Sequence, residues 1–396
     1  MRVLVLTHNY PRFAGDPAGA FVARLARATR RAGHETTVVT PHVPGTRASE
    51  VDEDVSITRF RYAPERLERV GYSGALHRDA LSKPLVSIAL PGYFWSFRRA
   101  ARRAVRDFRP DVVHAHWWIP SGVVATGLRT PFVVTSHGSD VRLLEHTPAI
   151  RPLAARVLGR AAAVTTVSGF LAEDLRRFLP RIETPIDVLP MPLDVAHFAS
   201  GTTEEKAVPP RILYAGNLVP SKGVDVLIRA FARLRERGVA CELRILGEGS
   251  ERESLGELAQ RLGVSGSVLF APFVSQREMP AEYGRSTITV LPTLGDAEGL
   301  GLVLVEALLA GSAVVGTRAG GIPEVVVDGR TGLLALPGDA VDLAQKLERL
   351  LADHELRERL VACGADRARE RHAAIAAAAR FIDLYEKVRG GRSHAA

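Results

Sequence analysis

Two doubly wound α/β domains of Rossmann type, each a parallel sheet wrapped by helices, are what this sequence predicts. Three observations carry that expectation. Short, fully apolar runs alternate with amphipathic helical segments from the first residues onward. The alternation breaks once, in the polar, proline-bearing stretch ASGTTEEKAVPPR, and then restarts. A chain of 396 residues with 46% hydrophobic residues also exceeds what one core usually serves.

The elements follow in order. RVLVL, residues 2–6, reads as a strand buried on both faces; FVARLARATRR is a helix stopped by Gly33, and HETTVVT is the next strand, which completes a β-α-β unit. A helix near FWSFRRAARRAVRDF, the strand DVVHAH, the strand PFVVTSHG, a helix around RPLAARVLGR and the strand AVTTVS continue the pattern. After the linker come the strand RILYAG, the helix GVDVLIRAFARLRERG, the strand CELRILG, the helix ERESLGELAQRLG and the strand SVLFAPF. TITVLP, the helix VLVEALLAG and the strand SAVVG follow, and AAIAAAARF near the end is helical. The domains are expected at residues 1–197 and 205–375, joined near residues 198–210. Strands separated by helices make parallel sheets, whose ligands collect where strand carboxyl ends meet helix N-termini.

Composition narrows the classes. Two cysteines, Cys241 and Cys363, provide neither a disulfide framework nor a CxxC metal knuckle. MRVLVLTHNY has too short an apolar run for a secretory signal, and no run of about eighteen apolar residues occurs, so a cytoplasmic protein, soluble or peripheral at the inner membrane face, is expected. The net charge of +8 is uneven, with +10 on residues 1–190 and −2 on the remainder. That asymmetry suits an anionic partner for the first half, although arginine-rich genome composition explains it equally well, since only 5 of the 52 cations are lysines.

The stretch EGLGLVLVE sets Glu298 and Glu306 eight positions apart, in a loop after TITVLP and inside the following helix. A fully helical span would place them about 12 Å apart along the axis. A glycosidase pair needs about 5 to 9.5 Å, so this spacing points instead to an elongated ligand with a carboxylate at each end. Gly299, Leu300 and Gly301 offer backbone N–H groups at the helix start, a ready seat for phosphate. A sugar, a diphosphate and a ribose fit that order; a solvated acidic helix start fits the stretch as well. Lys222, in GNLVPSKG before a helix, supplies a cation suited to a diphosphate oxygen.

Taken together, GNLVPSKG, LRILGEG, EGLGLVLVEALLAG and AGGIPEVVVDGRTGLL resemble a family 4 retaining glycosyltransferase of the GT-B fold. GHETTVVTP, DVVHAHWW, TSHGSD and AVTTVS extend the resemblance over almost the whole chain. The resemblance implies two Rossmann-like domains facing across a cleft, the second binding a GDP- or UDP-sugar donor and the first an acceptor, with the anomeric configuration retained. It implies Lys222 on the diphosphate, Glu298 on the donor sugar, Glu306 on the ribose and His137 on the reacting sugar face. It also implies no protein-bound metal, no further cofactor, and a final helix at 376–390 that braces the first domain; Phe381, Leu384 and Val388 give that segment an amphipathic spacing. The sequence departs from the family where Asn217 replaces a usual arginine and Leu300 a usual aromatic. Met191-Pro192-Leu193-Asp194 likewise replaces a frequent Asn-Gly before aspartate.

In the first half, His114 and His116 share a strand face and could be drawn with His137 and Asp140 as a metal site, but no HExxH helix or carboxylate cluster accompanies them. The favoured reading gives His137 a sugar contact, with a buried structural histidine as its rival. Asp140 would touch an acceptor hydroxyl or cap the next helix. Trp118, beside Trp117, would stack on an acceptor sugar or fill the core. Gly15 and Gly19 precede a helix, where Gly19 would let the loop approach phosphate or acceptor, or simply turn. Phe94, Phe97, Ala101, Val105 and Phe108 lie along one helical face, with Arg98, Arg99, Arg102, Arg103 and Arg106 elsewhere. Such a helix either lies on an anionic membrane or packs on its own sheet. The acceptor is accordingly expected to be anionic or lipid-linked, with no nucleic acid partner. A nucleotide-sugar 2-epimerase and a non-catalytic nucleotide-sugar binder are the rival functions.

Overall fold

A computed structural model of the protein describes residues 1–13, 15–16, 18–68, 84–272, 274–295 and 298–391. It divides into two compact units, Met1–Leu193 with Ala374–Ala396, and Asp194–Ala373.

In the first unit, β1 (Arg2–Leu6), α1 (Ala20–Arg31) and β2 (Glu35–Pro41) form the opening β-α-β unit. A hairpin of β3 (Ser49–Asp52) and β4 (Val55–Phe60) follows, then α2 (Pro84–Phe108), β5 (Val112–His116), β6 (Phe132–Ser136), α3 (Ser139–His146), α4 (Arg151–Leu158), β7 (Ala163–Thr166), α5 (Gly169–Phe178) and β8 (Ile186–Val188). The strands make one eight-stranded sheet, ordered β3-β4-β2-β1-β5-β6-β7-β8, parallel except for β3 against β4. The hairpin is absent from the sequence reading, yet Val55, Ile57 and Arg59 are buried in alternation with exposed Ser56 and Thr58. Its turn, Glu53-Asp54, has φ of 46° and 64°, the paired left-handed conformation that suits a two-residue hairpin.

In the second unit, α6 (Val195–Ala199) leads to β9 (Arg211–Ala215), α7 (Val224–Glu236), β10 (Glu242–Leu246), α8 (Arg252–Arg261), β11 (Val268–Ala271), α9 (Met279–Arg285) and β12 (Ile288–Leu291). Next come α10 (Leu302–Leu309), β13 (Ala313–Thr317), α11 (Ile322–Val325), β14 (Leu333–Ala335), α12 (Ala340–Ala352) and α13 (His354–His372). Phe273, the end of the predicted strand SVLFAPF, lies outside the described residues. The sheet is wholly parallel, ordered β11-β10-β9-β12-β13-β14. Part of the stretch read as linker, 198–210, is structured: the helix Val195–Ala199 runs into it and Ser200–Thr203 forms a further turn, with Phe198 buried. The chain passes between units at Leu193–Asp194 and returns at Ala373–Ala374.

The last helix, α14 (Ala374–Gly390), belongs to the first unit and packs on α1, β5 and β6, burying Phe381, Leu384 and Tyr385. Helix α2 buries Tyr93, Phe97 and Ala101, and Phe97 stacks on Phe60 at 4.6 Å between ring centroids. Among the described residues no helix is long and apolar enough to cross a membrane.

In both sheets the strand order reverses beside the first strand of the unit, between β1 and β5 and between β9 and β12. Loops leaving the carboxyl ends on either side of such a reversal diverge to opposite faces of the sheet and leave a crevice. The described residues there are 7–13, 15–16, 18–19, 116–122, 216–223, 292–295 and 298–301.

Candidate functional site

The second unit places three glycine-bearing loops against one another at its reversal. Gly223, at φ 63°, caps α7; a Cβ there would run into the carbonyl oxygen of Pro292, so glycine lets the β9 loop lie against the β12 loop. Leu294 N–H donates to Ser221 O at 2.9 Å across the same seam. Gly320 and Gly321, following β13, would drive a Cβ into the carbonyl oxygens of Glu298 and Gly299, while Gly321 N–H donates to Glu298 O at 2.9 Å. The double glycine of AGGIPE is therefore needed for backbone to lie on backbone beneath EGLG.

Lys222 and Glu298 meet on this framework: Nζ lies 2.6 Å from Oε2, and both side chains are only 19% exposed. The other carboxylate oxygen, Oε1, accepts from Gly301 N–H at 3.2 Å. The structure thus brings together Lys222, Glu298, Gly299, Leu300 and Gly301. A half-buried ammonium sits beside the start of α10, where Gly301 is left-handed at φ 86°. One N–H read as a phosphate donor, that of Gly301, is here held by Glu298. Leu300 is buried, and its side chain serves the core.

Glu306 lies deeper. It is 7% exposed and accepts from Tyr283 OH at 3.0 Å. Burial and the adjacent carboxylate push the Tyr283 phenol well up, so it remains a donor. Tyr283 is a partner that nothing in MPAEYGR announces. Asn217 stands apart from these contacts: the residue is exposed, and its backbone oxygen accepts from Tyr214 OH at 2.8 Å.

In the first unit, histidines gather at the carboxyl ends of β1, β5 and β6. His116 Nδ1 and His137 Nε2 are 2.9 Å apart, and His114 is held by Tyr385 OH at 2.7 Å and Thr135 Oγ1 at 2.6 Å. Trp117, with the rare φ of 66°, inserts between His8 and His137 at centroid distances of 4.2 and 4.5 Å, and its Nε1–H donates to Ser139 Oγ. A bulky residue in that conformation is strained, and the surrounding rings hold it there. Burial keeps all four imidazoles neutral, pushing His8 down to about 4, His114 to about 3, and His116 and His137 well below the usual value. The metal site that could be drawn through His114, His116, His137 and Asp140 does not converge: among the described residues no three such groups could hold an ion.

Two acceptor contacts read from the sequence are overturned by burial. Trp118 is 0% exposed, with its ring N–H donated to Asp140 O at 2.8 Å; no face is open for a sugar. Asp140 is equally enclosed. Its carboxylate accepts from the backbone N–H groups of Trp118, His137 and Gly138 at 3.1, 3.1 and 3.2 Å, so it organises the loops around His137. Burial raises its pKa against the pull of those bonds. His137 is half-buried and keeps an outward edge.

Gly19, at φ 69°, caps α1; a Cβ would strike the carbonyl oxygen of Asn9, so tight packing of the loop requires glycine, whereas Gly15 has open space around it. The loop between them is fastened by Asp16, which sequence reasoning missed: the buried carboxylate takes Arg12 Nε and Nη2 at 2.6 and 3.1 Å, and the N–H of Ala18 at 3.1 Å.

Helix α2 resolves in favour of packing. Its apolar face lies on its own sheet, so Arg98, Arg99, Arg102, Arg103 and Arg106 point outward with Trp95, which is 64% exposed. The Arg99 guanidinium lies 5.5 Å from the Trp95 ring centroid. Arg61, Arg99 and Arg103, with the hydroxyl-bearing Thr37, Ser49 and Thr58, line a groove of 640 Å³ beside this helix.

Comparison with known proteins matches the chain to a family. The profile described as Glycosyl transferases group 1 matches residues 199–367, and that described as Glycosyltransferase Family 4 matches residues 18–197. The chain is 30% identical to a D-inositol 3-phosphate glycosyltransferase of Streptomyces bingchenggensis, over 98% of this chain and 95% of that one. It is 29% identical to a GDP-mannose-dependent alpha-(1-6)-phosphatidylinositol monomannoside mannosyltransferase of Mycolicibacterium smegmatis, over 89% of each. Among solved structures, sucrose-phosphate synthase from Thermosynechococcus elongatus superposes with a TM-score of 0.78 at 21% identity, covering 98% of both chains, and shares the GT-B fold.

Proposed function

The chain belongs to the family 4 glycosyltransferases, and on that footing we propose that it is a retaining enzyme that uses a nucleoside-diphosphate sugar. The observation that carries the reading is the Lys222–Glu298 pair at the start of α10, beside the reversal of the second sheet. In this reading the donor lies on the second unit. Lys222 and the loop N–H groups meet the diphosphate, Glu298 the sugar hydroxyls, and Glu306 with Tyr283 the ribose. His137, on the first unit, contacts the reacting sugar. The bond from the anomeric carbon to the phosphate oxygen breaks, and the acceptor hydroxyl oxygen bonds to that carbon from the same face. The hydroxyl proton passes to the departing phosphate. Charge grows on the diphosphate, and fixed dipoles and a held ammonium stabilise it without reorganising. No protein-bound metal enters this scheme.

A thermal melt against UDP, GDP and ADP and their sugar conjugates tests the reading. One nucleotide at 100 times its dissociation constant should stabilise the protein by about 2.7 kcal/mol, and its sugar conjugate should be turned over once an acceptor hydroxyl is supplied. Conversion of the sugar without an acceptor would make the protein an epimerase-like isomerase; binding without turnover would make it a non-catalytic binder. If millimolar nucleotide leaves the melting temperature unchanged, donor binding itself is excluded.

For the acceptor we propose an anionic or lipid-linked molecule met at the inner membrane face. The outward arginines of α2 support this, and the named relatives act on an inositol phosphate and a phosphatidylinositol mannoside. Because the apolar face of α2 is already buried, attachment is electrostatic, worth about 1 kcal/mol per arginine. Replacing Arg99, Arg102 and Arg103 together by alanine should weaken binding to phosphatidylinositol-containing vesicles by about 100-fold, and high salt should do the same. Cosedimentation unaffected by either change would remove the membrane from the proposal.

A further inference from the structure

His116 has no outlet to solvent and no place in the chemistry proposed above, yet it makes a single directed contact with the histidine that does. Its ring is fully buried, Nδ1 faces His137 Nε2 at 2.9 Å, and Nε2 has no protein partner among the described residues. Two neutral imidazoles at that distance must be complementary, one nitrogen carrying hydrogen and the other a lone pair. If His137 donated, the proton of His116 would sit on Nε2, a buried N–H with no protein acceptor. If His116 donates, only a lone pair is left there, and buried donors without acceptors are the rarer defect. The second arrangement also leaves the proton of His137 on Nδ1, the nitrogen that no group among the described residues engages.

We infer that His116 is a positioning residue: it donates Nδ1–H to His137 Nε2, fixes that ring in the Nδ1–H tautomer, and thereby makes its outward nitrogen a hydrogen-bond donor. The surroundings of His116 favour one orientation. The His114 ring lies against it at 4.1 Å between centroids and is itself clamped by Tyr385 and Thr135. The backbone N–H of His137 is held by Asp140 at 3.1 Å, so main chain and ring are fixed independently. An outward N–H can donate to a sugar hydroxyl oxygen of the donor; an outward lone pair could only accept. The catalytic half of this inference rests on His137 contacting the reacting sugar. The tautomer half does not.

Long-range proton–nitrogen correlation spectra of protein labelled with ¹⁵N-histidine read the tautomer directly, with the His137 signals identified by their loss in His137→Gln. Wild-type protein should show His137 as a single neutral form protonated on Nδ1. His116→Leu removes the donor and should shift His137 toward the Nε2–H form that free histidine favours in water. His116→Asn, whose amide can donate from nearly the same position, should restore the Nδ1–H form. With the donor found by the melting screen, His116→Leu should lower kcat by about 10²-fold with the donor KM within about twofold, the cost of a mispositioned group, and His116→Asn should recover most of it. An Nε2–H signal for His137 in the wild type overturns the inference even if neither His116 variant folds. So does a tautomer unchanged by His116→Leu. The expected tautomer shift with kcat unmoved would keep the hydrogen bond but remove His137 from the reacting sugar.

Discussion

Replacing Lys222 with alanine is expected to lower kcat by about 10²- to 10³-fold, the scale of losing one fixed charge partner to a developing anion. Nucleotide affinity should fall as well, by about 10- to 150-fold, because a hydrogen bond to a charged group is worth about 1.5–3 kcal/mol. Stability should fall by less: an exposed ion pair contributes about 0–1 kcal/mol and breaking a fully buried one costs about 3–5 kcal/mol, and this pair, with 19% of each side chain exposed, lies between those limits. The contrast is the diagnostic part: a catalytic loss much larger than the change in melting temperature explains marks a functional lysine, whereas a lowered melting temperature with normal turnover marks a structural one. Asn217 sharpens the test. Where the family usually has arginine, this chain has an exposed neutral side chain, so under the proposed function more of the diphosphate charge would fall to Lys222. Asn217→Arg should therefore tighten nucleotide binding and restore part of what Lys222→Ala removes.

The strand-helix alternation was legible because buried parallel strands are uniformly apolar, and runs such as RVLVL and RILYA need no tertiary context. The β3–β4 hairpin was not, since one of its strands, SEVD, pairs at the sheet edge and carries no apolar run. Loop glycines showed in the sequence as turn residues, but only the fold reveals that Gly223, Gly320 and Gly321 are required by backbone carbonyls of neighbouring loops, and Gly19 by that of Asn9 earlier in its own loop. Charged and aromatic residues divided in the same way. Lys222 and Glu298 could be brought together from strand-end positions alone. Trp118 and Asp140 could not be separated from the site by sequence, because a buried tryptophan and an exposed one are the same letter. Tyr283 and Tyr385 carried no signal: each acts through a hydrogen bond to a residue that the fold, rather than the chain, makes its neighbour.

Acidification should unfold the first unit well before carboxylates titrate. His8 and His114 are buried and neutral, with folded pKa values of about 4 and about 3 against an ordinary 6.5. Above pH 6.5 the imidazoles are neutral in both states, and these groups give no pH dependence. Below it the unfolded chain binds protons that the folded unit refuses, so unfolding becomes more favourable as pH falls. The slope is about 1.4 kcal/mol per pH unit for each histidine, continuing down to about pH 4 for His8 and about pH 3 for His114. At pH 5 the two together remove about 4 kcal/mol, and His116 and His137, shifted in the same direction, add to that loss. Typical domain stabilities are about 5–15 kcal/mol, so the effect is decisive at that scale. Urea melts at pH 7.5, 6.5, 5.5 and 5.0 would measure it, and His114→Gln should reduce the slope by the share of one proton if the unit still folds. A denaturation midpoint that stays flat from pH 7.5 to 5.0 would mean that these rings are hydrated and can take up protons in the folded state. The neutral His137 with an outward Nδ1–H donor, proposed above, could then no longer rest on burial.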